Sequence, residues 1–507
     1  MTDSPLLFSN SSIVTTHPHQ PDLRAIATRA MIARGFIVQF PSDAQQQTRS
    51  EAEPRFDSYK AKDLSSWLWS SLDNDDSKDL DQIEYALREA TGTRIYIGIA
   101  DVDWFVPYDS PLDHTAWQNT TSIYTGVVTF PMLPERLSTD LSSLNENENR
   151  LAVVMEVLVS DDGRIVESAV YPAIVRNQSQ LTYDGVAAWL EEKPGNHLSE
   201  ASQRTLRKIA NSAELQSQLR LQDATAALLR QRRHDAGALT FHTAELQPVL
   251  ADGEVVDLQT RRQNRASLLI EDFMIAANQA SAAFLDAKGS PGIQRVVQTP
   301  HRWDRIVELA ASLGSNLPKD PAAKSLEGFL KEQQRTNPQH FPDLSLAVIK
   351  LLGRGEYVVK KPGQESIGHF GLAVTNYSHS TAPNRRYPDL ITQRLLKAAF
   401  AGATPAYTAD ALSALAEHCT EKENDANKVE RFVKKCAAAA ILSKQIGAHF
   451  DAVVSGVNAD GTWVRLRQPP VEGKLLIAAK GMDVGHRVRV RLVSADPERG
   501  FIDFQIA

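Results

Sequence analysis

Apolar positions change their spacing repeatedly along the 507-residue chain, and each change predicts a different kind of element. Residues 1–20 are polar and irregular, a loose tail. Over 22–33, Leu23, Ile26, Ala27, Ala30 and Met31 recur at helical spacing and Gly35 follows as a stop, which predicts an amphipathic helix. Residues 44–62 read as polar and turn-like. From 67 to about 176 the apolar runs have strand length, at 67–72, 94–102, 122–130 and 150–159. The pattern then turns helical at 198–234, 268–285, 387–400 and 423–446. Beyond 448, five short strand candidates (450–456, 463–467, 474–479, 487–493 and 501–505) are separated by turns, the layout of a small OB-type barrel. The expected fold class is mixed α/β (α+β): a leader at 1–63, a large domain at 64–447 and a five-stranded barrel at 448–507.

Composition narrows the class without deciding it. Hydrophobic residues at 42% and charged residues at 23% describe an ordinary globular chain, and a net charge of −7 leaves room only for a local basic groove. Two cysteines, Cys419 and Cys436, suit a reducing compartment and neither a zinc ribbon nor a redox pair. No apolar run is expected to reach the length of a membrane span, and the N-terminus has no secretory pattern, so a cytoplasmic protein is expected.

The densest candidate chemistry is the run Asp73-Asn74-Asp75-Asp76-Ser77-Lys78-Asp79-Leu80-Asp81. It follows a strand candidate, turns at 74–78, and places Asp79 and Asp81 on one face of the next extended segment. Asp73, Asp79 and Asp81 are thus expected to converge, which favours a hard cation such as Mg²⁺ or Mn²⁺ between them. Two other readings compete. Acidic runs also form solvated turns. The spacing of Asp73, Asp75, Ser77, Asp79, Asp81 and Glu84 imitates a calcium loop as well, although Lys78 stands where that loop needs glycine.

Two further features point to phosphate. Arg385 and Arg386 enter a helix just after Pro383, and paired guanidinium groups suit phosphate oxygens, unless they serve local acids such as Asp389. In the barrel, Arg487, Arg489 and Arg491 alternate with valine and leucine, which puts three guanidinium groups on one outer face. With Trp463, Arg465 and Arg467 they form either a solvated charged face or a platform for a single nucleic-acid strand. No Ser-His-Asp or Cys-His arrangement stands out, the thirteen histidines lack ligand spacing, and His369 reads as structural. Together these features suggest cleavage of a nucleic-acid backbone.

Several motifs carry a family resemblance. The acidic run, Ile99-Ala100-Asp101-Val102, Pro131-Met132-Leu133-Pro134, Ser142-Ser143-Leu144-Asn145, His369-Phe370-Gly371-Leu372 and Arg385-Arg386-Tyr387 occur in the order found in the catalytic domain of the ribonuclease II (RNB) family. The resemblance covers about 64–445, and the barrel resembles that family's S1-like RNA-binding domain. It implies a processive 3′-to-5′ exoribonuclease acting on single-stranded RNA with Mg²⁺ and releasing nucleoside 5′-monophosphates; separately, a monomer is expected. By the same resemblance Asp73, Asp79 and Asp81 are metal-site aspartates, Asp81 also catalytic, and Arg385 supports the reacting phosphate with Arg386 as a second candidate. Tyr124 resembles a tyrosine that stacks near the terminal nucleotide, though a core strand position explains it equally. Glu430 resembles a glutamate near the active site, or is a surface partner of Lys434. Gln82 stands where the family normally has a fourth aspartate, and the family's N-terminal pair of cold-shock domains has no counterpart in the leader. Asp75, Asp76 and Glu84 are close enough in sequence to restore the missing charge. The rival readings are an RNA-binding protein silenced by Gln82, and a calcium-binding surface protein.

Overall fold

The computed structural model describes residues 21–54, 56, 60–192, 198–242, 245–251, 254–261, 263–477 and 481–507. The expected loose tail lies outside them. Helix α1 (Leu23–Ile32) starts where Asp22 accepts the Ala25 N–H, and it buries the apolar face read from the sequence. Residues 44–62 are not simply turn-like: Ser42–Ser50 form α2, whose Ala44 and Thr48 are buried one helical turn apart. That face packs on a later helix, where Gln47 accepts the Leu112 N–H.

The central sheet is built from β1 (Lys62–Asp63), β2 (Trp69–Asp73), β3 (Gln82–Glu89), β4 (Gly92–Ala100) and two long strands further on. Helix α3 (Pro111–Asn119) follows, with proline in its first turn and Ser110 as its cap. The strand expected over 122–130 is instead a small hairpin, β5 (Ile123–Tyr124) and β6 (Thr129–Phe130), because Gly126 turns the chain at φ +84°. Strands β7 (Asn149–Ser160) and β8 (Ile165–Thr182) complete the sheet in the order β1-β8-β2-β3-β4-β7. Strand β8 pairs antiparallel with β7 and parallel with β1 and β2, so it joins the two ends of the sheet. Nine of the twelve residues of β7 are buried, on both of its faces, as expected where both are covered.

The covers are α4 (Tyr183–Leu190), α5 (Glu200–Ala210) and α6 (Ala213–Ala236), then, after the hairpin β9 (Glu245–Ala251) and β10 (Glu254–Arg261), α7 (Arg265–Ala287). Against expectation, α7 is long and apolar enough to cross a membrane, but 67% of its most apolar window is buried inside the fold. Strand β11 (Gly292–Val296) leads to α8 (Trp303–Ser312), α9 (Ala323–Thr336) and α10 (Phe341–Leu352), which share a separate small core. Strand β12 (Glu356–Lys360) pairs with β11, α11 (Tyr387–Ala401) follows, and α12 (Ala409–Leu442) runs for 34 residues, starting well before the expected 423.

The chain ends in a closed barrel ordered β13-β14-β15-β17-β16, from β13 (His449–Asn458), β14 (Gly461–Leu466), β15 (Glu472–Leu475), β16 (Arg487–Asp496) and β17 (Phe501–Ile506). Its core takes in Ala438, Ala439 and Leu442 from the last turns of α12. Burying those small and branched side chains seats the barrel on the larger domain, and ion pairs such as Arg305–Asp483 add to that apolar contact.

Candidate active site

Asp73 ends β2, and Asp79 and Asp81 lie on the irregular stretch before β3 rather than on a strand. The stretch is fixed from below by the serine motif: Ser143 Oγ accepts the Leu80 N–H at 3.0 Å and donates to the Lys78 carbonyl at 2.8 Å. Ser142 Oγ donates to Asn384 Oδ1 at 2.5 Å, tying the same motif to the loop before α11. From that loop Asn384 N–H reaches Asp81 Oδ1 at 3.3 Å and Arg385 Nε reaches Asp81 Oδ2 at 3.2 Å. Residues 304 positions apart in sequence therefore share one point, with the guanidinium partly exposed and the carboxylate buried.

The three aspartates do not converge as expected. Asp73 Oδ1 accepts from Asn74 N–H and Ser77 Oγ in its own turn, Asp79 Oδ2 accepts the Tyr124 hydroxyl at 3.1 Å, and Asp81 faces Arg385. Among the described residues no three His, Cys, Asp or Glu side chains gather as a ready metal cage. The electrostatics nonetheless call for a cation. Burial raises the carboxyl of Asp73, and repulsion from Asp79 adds to it. Burial pushes Asp81 up to about 7, again with Asp79 adding and Arg385 opposing. These oxygen donors fit a hard divalent ion in charge and chemistry, but they are not arranged around one in advance.

The neighbouring acids do not make good the charge missing at Gln82. Asp75 accepts from Ser202 Oγ at 3.0 Å, on the helix α5 side. Glu84 is fully buried in β3 opposite Ser70, and neither of its carboxylate oxygens has a hydrogen-bond partner among the described residues. Asp76 is exposed. These placements, and the strands that flank the loop, also overturn the calcium-loop reading. Gln82 itself donates its amide N–H to the Leu72 carbonyl at 3.3 Å.

Glu430 is more than a surface partner of Lys434: from α12 it accepts the Tyr124 backbone N–H at 2.9 Å. The glutamate thus holds the β5–β6 hairpin that carries Tyr124 over Asp79, and the tyrosine, 39% exposed, is no core strand residue. Arg386 behaves differently from Arg385. It donates to Asp389 Oδ1 at 2.6 Å, and Asp389 also accepts the Thr381 and Ala382 N–H groups. The pairing with Asp389 that competed in the sequence is the one formed, and Arg386 shapes the loop that presents Arg385. His369 is structural, accepting the Leu372 N–H through Nδ1, and burial lowers it to about 4.

A cleft of about 680 Å³ opens between α10, α12 and the barrel strand β14, with Glu430 in its lining. Eight of its lining side chains are lysine or arginine and three are glutamate. Much of that charge comes from one face of α12, Lys428, Arg431 and Lys435, residues not singled out from the sequence although their i, i+3, i+7 spacing was there to read. Arg465 lines this cleft, and Trp463, two residues earlier on β14, lines a second groove of about 700 Å³ that shares Lys428, Arg431 and Lys435. Arg467 is exposed just past the end of β14. Arg487, Arg489 and Arg491 stand exposed on β16, and Val453 of β13 pairs with both Arg465 and Arg487. The two cationic rows therefore flank one strand of the outer face, roughly 10 Å apart across two strand spacings. Arg487 lines another cavity, against α8 and α10.

The RNB domain matches residues 61–402, and an RNase II-type exonuclease C-terminal S1 domain matches 448–507. The chain belongs to the RNB family. Its similarity to RNB relatives is broad but moderate. Ribonuclease R 1 of Lactococcus lactis is 28% identical over 528 residues, covering 97% of this chain and 62% of that protein, so the chain spans about three fifths of that relative's length. A solved RNase R of Mycoplasma genitalium, in complex with ribose methylated single-stranded RNA, superposes with a TM-score of 0.83 at 23% identity over 96% of this chain and 78% of that one. Yeast Ssd1, described as a pseudonuclease, shares the fold at a TM-score of 0.66 and 15% identity, over 89% of this chain and 55% of its own. Nucleases of the RNB family depend on divalent metal ions. Within the RNB match lie Asp73, Asp79, Asp81, Tyr124 and Arg385, whereas Glu430 falls between the two matched regions.

Proposed function

We propose that the chain is a 3′-to-5′ exoribonuclease that threads single-stranded RNA along the basic cleft and hydrolyses it, processively, to nucleoside 5′-monophosphates. The observation that carries this reading is the chain of contacts from the cleft to the acids: Glu430 holds Tyr124, Tyr124 touches Asp79, and Asp81 meets Arg385. Asp73, Asp79 and Asp81 would hold Mg²⁺ or Mn²⁺, with Gln82 Oε1 as a neutral fourth donor. Such an ion, when bound, activates water and neutralises the leaving 3′-oxygen. The guanidinium of Arg385 steadies the charge that grows on the phosphate oxygens, and the exposed ring of Tyr124 offers a face to the terminal base. Without an ion, the carboxyl of Asp81 holds its proton to near neutrality. The barrel adds Trp463, Arg465, Arg467, Arg487, Arg489 and Arg491 as contacts to the strand further from its 3′ end. The domain limits are those read from the sequence, 64–447 and 448–507, and the working form is a cytoplasmic monomer.

A second reading has its own support. Gln82 removes one charge from the acidic site, and no neighbouring acid replaces it, which suits a protein that binds RNA and no longer cuts it. A 5′-labelled single-stranded RNA, incubated with and without Mg²⁺ and resolved to single nucleotides, separates the two. The exoribonuclease shortens the RNA from its 3′ end with Mg²⁺ and stops with EDTA; the silent binder retards it in a native gel and leaves its length unchanged.

A further inference from the structure

One carboxylate stands out in the basic cleft. Glu472 of β15 lies directly across from Arg465 of β14 and lines both the cleft and the second groove, where the two share Lys428, Arg431 and Lys435. Its Oε1 accepts from Lys350 Nζ at 2.8 Å and from Ser455 Oγ at 2.6 Å, and its Oε2 lies 4.0 Å from Lys435 Nζ. Burial works against its charge, but Lys350, Ser455 and Lys435 outweigh that and hold it below the usual glutamate range. It is therefore an anion fixed among the cations that a phosphate backbone would seek.

Fastening the barrel does not require it. The barrel is already seated through Ala438, Ala439 and Leu442, and Arg29–Glu498 and Arg305–Asp483 tie its far sides to α1 and α8. Resting on the reading that this cleft carries RNA, we propose that Glu472 limits the affinity of the cleft. It competes with RNA phosphates for Lys350 and Lys435, so that a threaded strand is held loosely enough to advance. A carboxylate there denies the RNA part of the counterion release that sets single-strand affinity.

The test compares two variants in the full-length protein, because both break the same ion pair and only one removes the negative charge. Binding of a 3′-blocked single-stranded RNA is measured across salt concentrations, with EDTA present to prevent cleavage. Glu472→Gln is expected to bind about 5- to 20-fold more tightly near 0.1 M salt, with a log–log salt slope steeper by about 0.7 to 1.4, since each of the one or two freed cations adds about 0.7. Lys350→Met is expected to bind equally or more weakly. Unchanged or weaker binding by Glu472→Gln, or a shift of both variants in the same direction, overturns the proposal and leaves Glu472 a fastener. Arg431→Ala tests the underlying reading separately: if it leaves RNA affinity and salt slope unchanged, the cleft is not the RNA path and that reading fails first.

Discussion

Asp81 should make the metal-free protein less stable, and its replacement should show by how much. The residue is 3% exposed, and its carboxyl is raised from 3.8 to about 7, chiefly by burial, with Asp79 adding and Arg385 opposing. A rise of roughly 3 pH units, at ~1.4 kcal/mol per unit, means that ionising Asp81 inside the fold costs on the order of 4 kcal/mol. A raised acid binds more protons in the native state than in the unfolded chain. Stability is therefore lost as pH rises from about 4 to about 7, and below that window Asp81 contributes no difference. Asp81→Asn keeps one of the two acceptor oxygens that face the Asn384 and Arg385 N–H groups and drops the charge. In metal-free buffer the variant is expected to be more stable than wild type by about 2–4 kcal/mol near pH 7.5 and nearly equal near pH 4. Urea unfolding at several pH values, followed by fluorescence, measures the gap. Saturating Mg²⁺ should narrow it, by about 2.7 kcal/mol when the ion stands at 100 times its dissociation constant. The same variant should lose at least ~10²-fold in turnover, because the ionised carboxylate is what the cation needs. A gap of zero near neutral pH, or one that does not change with pH, would refute the argument that burial of this charge dominates the site.

Other consequences are as direct. The metal requirement for cleavage should climb about tenfold for each pH unit below about 7, since Asp81 must release its proton to bind the ion; a requirement flat from pH 5.5 to 8 would contradict this. Arg385→Ala should lower single-turnover cleavage by ~10²–10³-fold with RNA affinity little changed, as expected for a group that acts on developing charge; equal losses in both would make it a binding residue. Asp389→Asn leaves the partly buried Arg386 guanidinium without its fully buried counter-charge and should cost up to about 3–5 kcal/mol in unfolding free energy. A loss below about 1 kcal/mol would mean that the Asp389 pair does not hold the Arg385 loop.

Much of this was legible in the sequence because it rests on local periodicity. The alternation of Arg487, Arg489 and Arg491 with apolar residues gives an exposed stripe on β16, and the five short runs after 448 give a closed five-stranded barrel. Helix α2 was hidden because only Ala44 and Thr48 of its nine residues are buried, too few to mark a face. The acids were found as a group, yet their arrangement depends on partners distant in sequence, 304 residues away for Arg385 and 45 for Tyr124. Arg385 draws Asp81, and Tyr124, steered by Glu430, draws Asp79, and nothing in the local spacing of Asp73, Asp79 and Asp81 encodes either contact. Adjacency alone does not separate Arg385 from Arg386, although the resemblance ranks Arg385 first; the α11 N-terminus claims Arg386 through Asp389 and leaves Arg385 facing the acids. The basic face of α12 escaped notice because cations at helical spacing are ordinary solvated surface until a second domain closes a cleft over them.

The central claim, that Asp73, Asp79 and Asp81 make a working metal-dependent nuclease in spite of Gln82, is tested most directly by a metal titration of single-turnover RNA cleavage. Wild type and Gln82→Asp are compared on a 5′-labelled strand with a 3′-hydroxyl end, across Mg²⁺ and Mn²⁺ concentrations. An amide oxygen can ligate such an ion but brings no charge. The account therefore predicts that wild type cleaves and that Gln82→Asp reaches the same rate at a lower metal concentration. Wild type that stays inert at every concentration of either ion, while Gln82→Asp cleaves, would contradict it and leave a protein that binds RNA without cutting it.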